Sequence, residues 1–234
     1  MKTFLTLFLI AQFTSMPSEV RGQIAALGER VRVAGREQSV YSGEFVDAAG
    51  ARFAAQFTHQ AQGQIRLQGF AGAGSVLSFD GVRASAALTR NREVLLETFV
   101  LDMPEGMLSS LQQGASVRLL GRRFGPDPRK APNYAGPRYD IYEVMAHVRT
   151  RLNPVARIKR YYFDSKTGLL DRVRYSDATV SPAVRVETRF SGWSNVAGSA
   201  YPGRIERYEN GRLVFSFTTA TVSSGPRQEP GAFR

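Results

Sequence analysis

Apolar and polar residues alternate at every second position along most of the chain from residue 30 onward. The alternation is clearest in residues 52–58, 64–68, 184–190 and 212–218. A period of two places apolar side chains on one face of a β-strand and polar side chains on the other. The pattern therefore predicts strands that each bury one face. The apolar positions in these stretches are Phe53, Ala55, Phe57, Ile65, Leu67, Val184, Val186, Phe190, Leu213, Phe215 and Phe217.

Turn-forming residues separate these stretches. Asn210-Gly211 supplies the two positions with positive φ that a type I′ hairpin needs, and Asp80-Gly81 is a second candidate. Residues 47–50 and 164–168 each end in a glycine, as longer hairpin loops often do. YYFDSKTGLLDRVRY (161–175) is therefore predicted to be a β-hairpin. The spacing of strands and turns predicts roughly ten or eleven strands in one antiparallel sheet, which curls into a barrel or folds over as a sandwich.

Three regions depart from the period of two. Residues 91–114 carry an i, i+3, i+4 apolar stripe that predicts a helix, which Pro104 divides into two pieces and Gly114 ends. Residues 22–33 are predicted to begin with a short helix. Residues 124–140 are rich in proline and glycine and predict a long surface loop.

The N-terminus has the order of an export signal. Lys2 precedes an uncharged, mostly apolar run from Thr3 to Ser15, which is too short to span a membrane. We expect a signal peptide over residues 1–22, cleaved near Gly22, and a single domain over residues 23–234. The alternative interpretation is a buried N-terminal helix.

Composition narrows the class of protein further. The chain has no cysteine, which excludes disulfides and an anchor on an acylated cysteine. No second apolar run of about eighteen residues follows the N-terminal one, so the mature chain is expected to be soluble and periplasmic. Its formal net charge of +11 favours anionic partners, such as phospholipid headgroups, lipopolysaccharide or nucleic acid.

Motifs for catalysis, metal binding or cofactor binding are not evident in the sequence. The two histidines, His59 and His147, are far apart and lie in no metal-ligand spacing, and Asp102 and Glu105 are explained most simply as flanking a helix start at Pro104. We therefore predict no enzyme, metal or cofactor, although a hydrolase with a dispersed site stays open as an alternative.

ARIKRYYF (156–163) alternates basic and aromatic residues, as single-strand nucleic-acid binders do. The export signal disfavours nucleic acid, and a strand with a solvated basic face is the simpler interpretation.

The order of these elements resembles a known family. YYFDSKTGLLDRVRY (161–175) and VETRFSGWSNVAGSAYPGRIERYENGRLVFSFTTATV (186–222) are similar to the ending of the LolA/LolB-like superfamily of periplasmic lipoprotein and lipid carriers. SVLSFDG (75–81), followed by EVLLETFVLDMPEGMLSSLQQG (93–114), resembles the middle of that family. The resemblance implies a mainly β protein with a few helices. Its single curved antiparallel sheet would form a half-open barrel of roughly 10–11 strands under a helical lid.

The same residues give candidate ligand-binding positions. A lid suits flexible methionines, because they adapt to ligands of varied shape. The alternative is that the helices plug a filled core. Arg66 or Arg204 is the candidate headgroup contact. The expected cavity walls are Phe53, Phe57, Ile65, Leu67, Phe79, Phe215 and Phe217, and the expected lid residues are Phe99, Met103, Met107 and Leu108.

Two functions from different classes follow from this fold. The first is an exported carrier that binds a lipid or the acyl chains of a lipoprotein without covalent chemistry. The second is a periplasmic sensor or interaction module on the same scaffold, of the envelope-stress-regulator type, with an envelope membrane protein as its partner. A purified carrier should contain lipid, whereas a sensor should retain one stoichiometric membrane partner.

Overall fold

A computed structural model describes residues 38–60, 64–80, 84–85, 89–112, 115–124, 136–149, 154–196, 199–225 and 233. The predicted signal peptide, the short helix expected in residues 22–33 and Gly81 of the Asp80-Gly81 turn lie outside these ranges. Most of the loop expected at 124–140 also lies outside them.

One antiparallel sheet of eleven strands dominates the described part of the chain. Its strands are Gln38–Asp47 (β1), Arg52–Gln60 (β2), Gln64–Gln68 (β3), Val76–Phe79 (β4), Ser116–Phe124 (β5), Arg138–Arg149 (β6), Pro154–Asp164 (β7), Leu170–Asp177 (β8), Val184–Ser191 (β9), Arg204–Glu209 (β12) and Arg212–Gly225 (β13). Their order in the sheet is β4-β3-β2-β1-β13-β12-β9-β8-β7-β6-β5, so β4 and β5 form its two ends and the curved sheet is not closed. This confirms the predicted fold class.

Two pairings in the sheet are not between consecutive strands. β1 pairs with β13, so the two ends of the described chain meet in the middle of the sheet. β12 pairs with β9, because the strands between them form a separate two-stranded hairpin of Ser194–Val196 (β10) and Ser199–Tyr201 (β11).

The turns between strands form where residues tolerate positive φ or where a side chain accepts backbone hydrogen bonds. Asn210 and Gly211 both have positive φ, at 50° and 81°, and connect β12 to β13. Asp47 Oδ1 accepts hydrogen bonds from the backbone N–H groups of Ala49 and Ala51, which closes the loop between β1 and β2. Between β7 and β8, Asp164 Oδ1 accepts hydrogen bonds from the backbone N–H groups of Lys166 and Thr167. The predicted hairpin at 161–175 is therefore confirmed.

Four register shifts interrupt the described sheet, and two of them show how a bulge changes the sequence pattern locally. The register of β12 and β13 shifts at Arg207/Tyr208, and Leu213 beyond this bulge is exposed although Phe215 and Phe217 are buried. In β8, the residue between Leu170 and Arg172 has no partner in β7, so Leu170 turns onto the buried face. Strict alternation fails at these positions because a bulge adds one residue to one strand only.

The helical segment connects β4 to β5. It consists of Arg90–Leu96 (α1), a π-helical turn at Glu97–Asp102, and Pro104–Gln112 (α2). The Thr89 hydroxyl accepts a hydrogen bond from the N–H of Arg92 and caps α1. The predicted division at Pro104 is confirmed, whereas the π-helical turn was not expected. The predicted loop at 124–140 is shorter than expected, because β5 extends to Phe124 and β6 begins at Arg138.

The helical segment packs on one face of the sheet, which we call the inner face; the opposite face is the outer face. A single large apolar core joins the helical segment to inner-face side chains from both halves of the sheet. The outer face of β6 and β7 carries a second, small apolar cluster of Tyr139, Ile141 and Tyr162.

Candidate functional site

The apolar part of the inner face is built around Phe99 of the π-helical turn. The Phe99 ring lies 4.7 Å from the Phe57 ring, 5.8 Å from Phe215 and 6.0 Å from Phe217, measured between centroids. These rings come from β2 and β13, which are separated in the sheet only by β1. Phe99 is almost fully buried. The helical segment therefore covers this part of the sheet with an aromatic side chain at its centre.

The structure brings most of the predicted cavity and lid residues together. Phe57, Ile65, Leu67, Phe99, Met103, Met107, Phe215 and Phe217 are buried in one cluster, against which the partly buried Phe53 and Phe79 pack. Strand register explains the grouping on β2, β3 and β4, since Phe57 pairs with Leu67 and Ile65 pairs with Phe79. The side chain of Leu108 lies outside the described part of the structure. The role of these predicted cavity and lid residues in binding a ligand stays a prediction.

The two candidate headgroup arginines lie elsewhere. Arg66 pairs with Thr58 and Ser78, between residues whose side chains point to the inner face, and so lies on the outer face. Arg204 also points outward, where its guanidinium binds Glu206 at 2.9 Å. Neither arginine is grouped with the apolar inner-face residues.

A buried cluster of opposite charges occupies the rest of the contact between the helical segment and the sheet. The helical segment contributes Glu97 and Asp102, and strands β7, β8 and β12 contribute three cations and one anion. All six residues have relative exposures of 8% or less. We call this set the buried charge cluster: Glu97, Asp102, Arg157, Lys159, Asp177 and Arg207.

Glu97 and Asp102 each bind more than one side chain of the sheet. Glu97 binds Arg157 through Oε1 and Arg207 through Oε2, the latter at 3.2 Å. Asp102 Oδ1 accepts a hydrogen bond from Lys159 Nζ at 2.5 Å, and its Oδ2 accepts one from Thr188 Oγ1 at 2.6 Å. The two carboxylates therefore attach the π-helical turn to β7, β9 and β12.

The π-helical turn explains how both carboxylates reach the same cations. In an α-helix with 3.6 residues per turn, residues five apart point about 140° away from each other. In a π-helix the hydrogen bonds run from residue i to i+5, so residues five apart lie close to the same side. Glu97 and Asp102 are five apart. An α-helical turn here would direct one carboxylate away from Lys159 and Arg207.

The sheet side of the cluster is also fully connected. Asp177 binds Arg157 at 2.8 Å and Arg90, the first residue of α1, at 2.9 Å. Arg207 donates to Tyr175 Oη at 2.9 Å and to Glu209 at 2.9 Å. Since the anions and cations are equal in number, the cluster is neutral overall.

Burial shifts the pKa values of groups in and beside this cluster. It lowers the pKa of Lys159 to about 8, with Asp102 opposing the shift and the nearby arginines adding to it. Burial, followed by the charge of Asp102, raises the pKa of the Tyr175 hydroxyl well above its usual value. Burial would also raise the pKa of Asp177, but hydrogen bonds from Thr179 and the charge of Arg157 outweigh it and lower that pKa.

Two sequence-based interpretations are corrected here. Arg157 and Lys159 are buried on the inner face, so residues 156–163 do not form a strand with a solvated basic face. Asp102 binds Lys159 and Thr188 besides preceding the second helix. The sequence did contain a signal, because Arg157 and Lys159 are in phase with Tyr161 and Phe163, which are apolar and buried.

A smaller polar group brings Glu105 of α2 near Tyr41 of β1 and His59 of β2. The Tyr41 ring stacks on Phe57 at 5.2 Å and contacts the Tyr201 ring edge-on at 5.4 Å. Burial, and then the charge of Glu105, raises the pKa of Tyr41, whereas burial lowers the pKa of His59 against the opposing effect of Glu105. Within the ranges that the structure describes, no group of three or more His, Asp or Glu side chains is placed to hold a metal ion.

Solved structures share this architecture. The LolA superfamily protein of Nitrosomonas europaea superposes with a TM-score of 0.61 at 10% identity, covering 92% of this chain and 96% of that one. The chain has a LolA-like fold. A domain of Vibrio parahaemolyticus named for outer membrane lipoprotein sorting shares the LolA-like fold with a TM-score of 0.59 at 8% identity, over 91% of this chain and 94% of that one.

A third similar structure is a DUF1329 family protein of Desulfovibrio piger, with a TM-score of 0.52 at 10% identity, over 91% of this chain and 95% of that one. No protein-family model and no curated protein matches the sequence. Among the residues that the structure describes, none of the helices is both long and apolar enough to cross a membrane. The likeness is therefore one of fold, carried by the open sheet and its helical cover.

Proposed function

We propose that the protein is an exported carrier that binds the acyl chains of a lipid or of an acylated protein between the helical segment and the apolar inner face. The observation that carries the proposal is the way Phe99, Met103 and Met107 fill the apolar inner face from a segment attached by charges. A solved protein with the same fold is named for outer membrane lipoprotein sorting.

The energetics favour a displaceable cover. Transfer of an acyl chain out of water gains about 0.8 kcal/mol per methylene, so ten buried methylenes contribute about 8 kcal/mol. The acyl chain would take the place of Phe99 and the methionines against the sheet, so the apolar side chains of the sheet would stay covered. Methionine side chains adapt to irregular spaces, which suits a ligand of variable length.

The buried charge cluster makes such a displacement less costly. Buried ion pairs contribute little net stability, because desolvation offsets their attraction. When the helical segment moves away, water can solvate its two carboxylates and the basic side chains of the sheet. A cover with apolar side chains in place of these charges would expose more hydrophobic surface when it moves.

Substitution of Phe99 tests the proposal. The Phe99→Ala variant lacks the ring that a ligand would have to displace, so we expect it to bind a fluorescent fatty acid at least about ten-fold more tightly than the wild type. Phe190→Ala is the matched control, because Phe190 is equally buried but its ring contacts Trp193, which follows β9, rather than Phe99. This control should lose stability without gaining affinity.

Two further measurements address the ligand itself. Protein recovered from a cell-envelope extract should contain lipid that mass spectrometry detects. A photoactivatable fatty acid should crosslink to peptides of β2, β3 and β13. Protein that is always empty and takes up no fatty acid, either as wild type or as Phe99→Ala, would contradict the proposal, as would crosslinks confined to the outer face.

A further inference from the structure

A row of charged side chains crosses the outer face from β5 to β9. Cross-strand register places Arg118 opposite Glu143, Glu143 opposite Arg160, Arg160 opposite Arg174, and Arg174 opposite Glu187. Arg118 and Arg160 both bind Glu143, at 2.6 and 3.0 Å. The two glutamates thus hold arginines from neighbouring strands in one continuous row.

The arginines of this row are far more exposed than their partners. The Glu143 side chain is 13% exposed, whereas Arg118 and Arg160 are 71% and 54% exposed. Each guanidinium has five N–H donors and uses only part of them on its carboxylate. The row therefore presents positive charge and hydrogen-bond donors to the solvent.

An exposed apolar pair adjoins the row. Met145 and Ile158 are cross-strand partners on β6 and β7 and are 41% and 48% exposed. They lie two residues from Glu143 and Arg160, and so on the same outer face. Only one other large apolar side chain in the described part of the chain is this exposed, Leu213 near the β12–β13 turn.

We propose that this surface, formed by Arg118, Arg160, Met145 and Ile158, docks on an anionic membrane. Guanidinium groups bind lipid phosphates in a bidentate manner, and the apolar pair can enter the boundary between headgroups and acyl chains. A membrane offers phosphates and hydrocarbon within one side-chain length of each other, which an acidic peptide or a nucleic acid does not. The net charge of +11 adds long-range attraction. The proposal does not depend on whether the inner face binds a ligand.

Vesicle flotation tests this proposal with the full chain. The wild type should bind phosphatidylcholine vesicles that contain phosphatidylglycerol, bind pure phosphatidylcholine weakly, and dissociate as salt increases. Arg118→Gln and Arg160→Gln should each weaken binding about five-fold, since a basic residue near an anionic surface contributes about that factor. Ile158→Ser should also weaken binding.

Matched controls separate a local surface from general charge. Arg52→Gln removes an arginine of similar exposure, 70%, from the outer face of β2, and Leu213→Ser removes the other exposed apolar side chain. Both controls should bind as the wild type does, and circular dichroism should show that every variant is folded. A loss with Arg52→Gln equal to that with Arg160→Gln would overturn the proposal. So would binding to DNA or to an acidic peptide with none to the vesicles.

Discussion

Removal of one charge from the buried charge cluster is the most direct test of how the helical segment is held. Asp102→Asn keeps the size of the side chain and removes its charge. Asp102 is fully buried and accepts hydrogen bonds from Lys159 Nζ at 2.5 Å and Thr188 Oγ1 at 2.6 Å. Among the residues that the structure describes, Lys159 then keeps only Glu97 as an anionic partner, at 3.4 Å. The substitution therefore leaves a buried ammonium poorly compensated.

The contacts of Asp102 determine how much stability the Asp102→Asn variant should lose. Loss of the charged acceptor for Thr188 costs about 1.5–3 kcal/mol. Because the pKa of Lys159 is about 8, the lysine can become neutral at pH 7 for about 1.4 kcal/mol more. Together these costs lower the free energy of unfolding by about 3–4 kcal/mol, within the range for breaking a buried ion pair. At pH 9 the lysine is already mostly neutral, so the loss should be about 1 kcal/mol smaller.

Urea unfolding followed by the fluorescence of Trp193, the single tryptophan, measures this difference at both pH values. Glu206→Gln is the control, because Glu206 pairs with Arg204 on the outer face and its loss should cost about 0.2–1 kcal/mol. The double variant Asp102→Asn/Lys159→Met should recover part of the lost stability. If Asp102→Asn unfolds at the same urea concentration as the wild type, the buried charge cluster does not hold the helical segment.

Three further predictions concern the contact between the helical segment and the sheet. Between about pH 8 and 10.5 the unfolded state should carry the Lys159 proton that the folded state has lost, so the free energy of unfolding should rise by up to about 3 kcal/mol, and a Lys159→Met variant should lack the rise. Above about pH 10 stability should fall again, because tyrosines with a raised pKa lose their protons first in the unfolded state; these are Tyr41, Tyr161 and Tyr175. Gly106→Ala would place a Cβ against the carbonyl of Val100 in the π-helical turn, so the variant should lose about 1–3 kcal/mol in urea unfolding. Gly225→Ala has open space around its Cβ and should change stability little; equal losses in the two variants would contradict this explanation.

The sequence predicted the local elements of this protein well. Alternation marked the strands of the sheet, and Asn210-Gly211 marked a type I′ turn, because Asn and Gly tolerate the positive φ that this turn requires. Pro104 marked the division of the helical segment. Most of the predicted inner-face residues also share one cluster, since alternation decides which side chains of a strand lie on the same face.

The sequence did not predict the buried charge cluster. Glu97 is 60 residues from Arg157 and 110 from Arg207 along the chain, and only the folded sheet brings them together. Periodicity gives the face of a charged residue but not the partner that makes its burial possible. A charged residue in phase with buried apolar neighbours was therefore interpreted as solvated.

Hydrophobic periodicity and turn residues by themselves determined a mainly β chain whose strands each bury one face. Only the tertiary structure decided the strand order, the register shifts and the inner-face position of Arg157, Lys159 and Arg207. The physical reason is that strand propensity and turn geometry are local. The pairing of β1 with β13, and of buried cations with carboxylates on the helical segment, depends on contacts between residues that are distant in sequence.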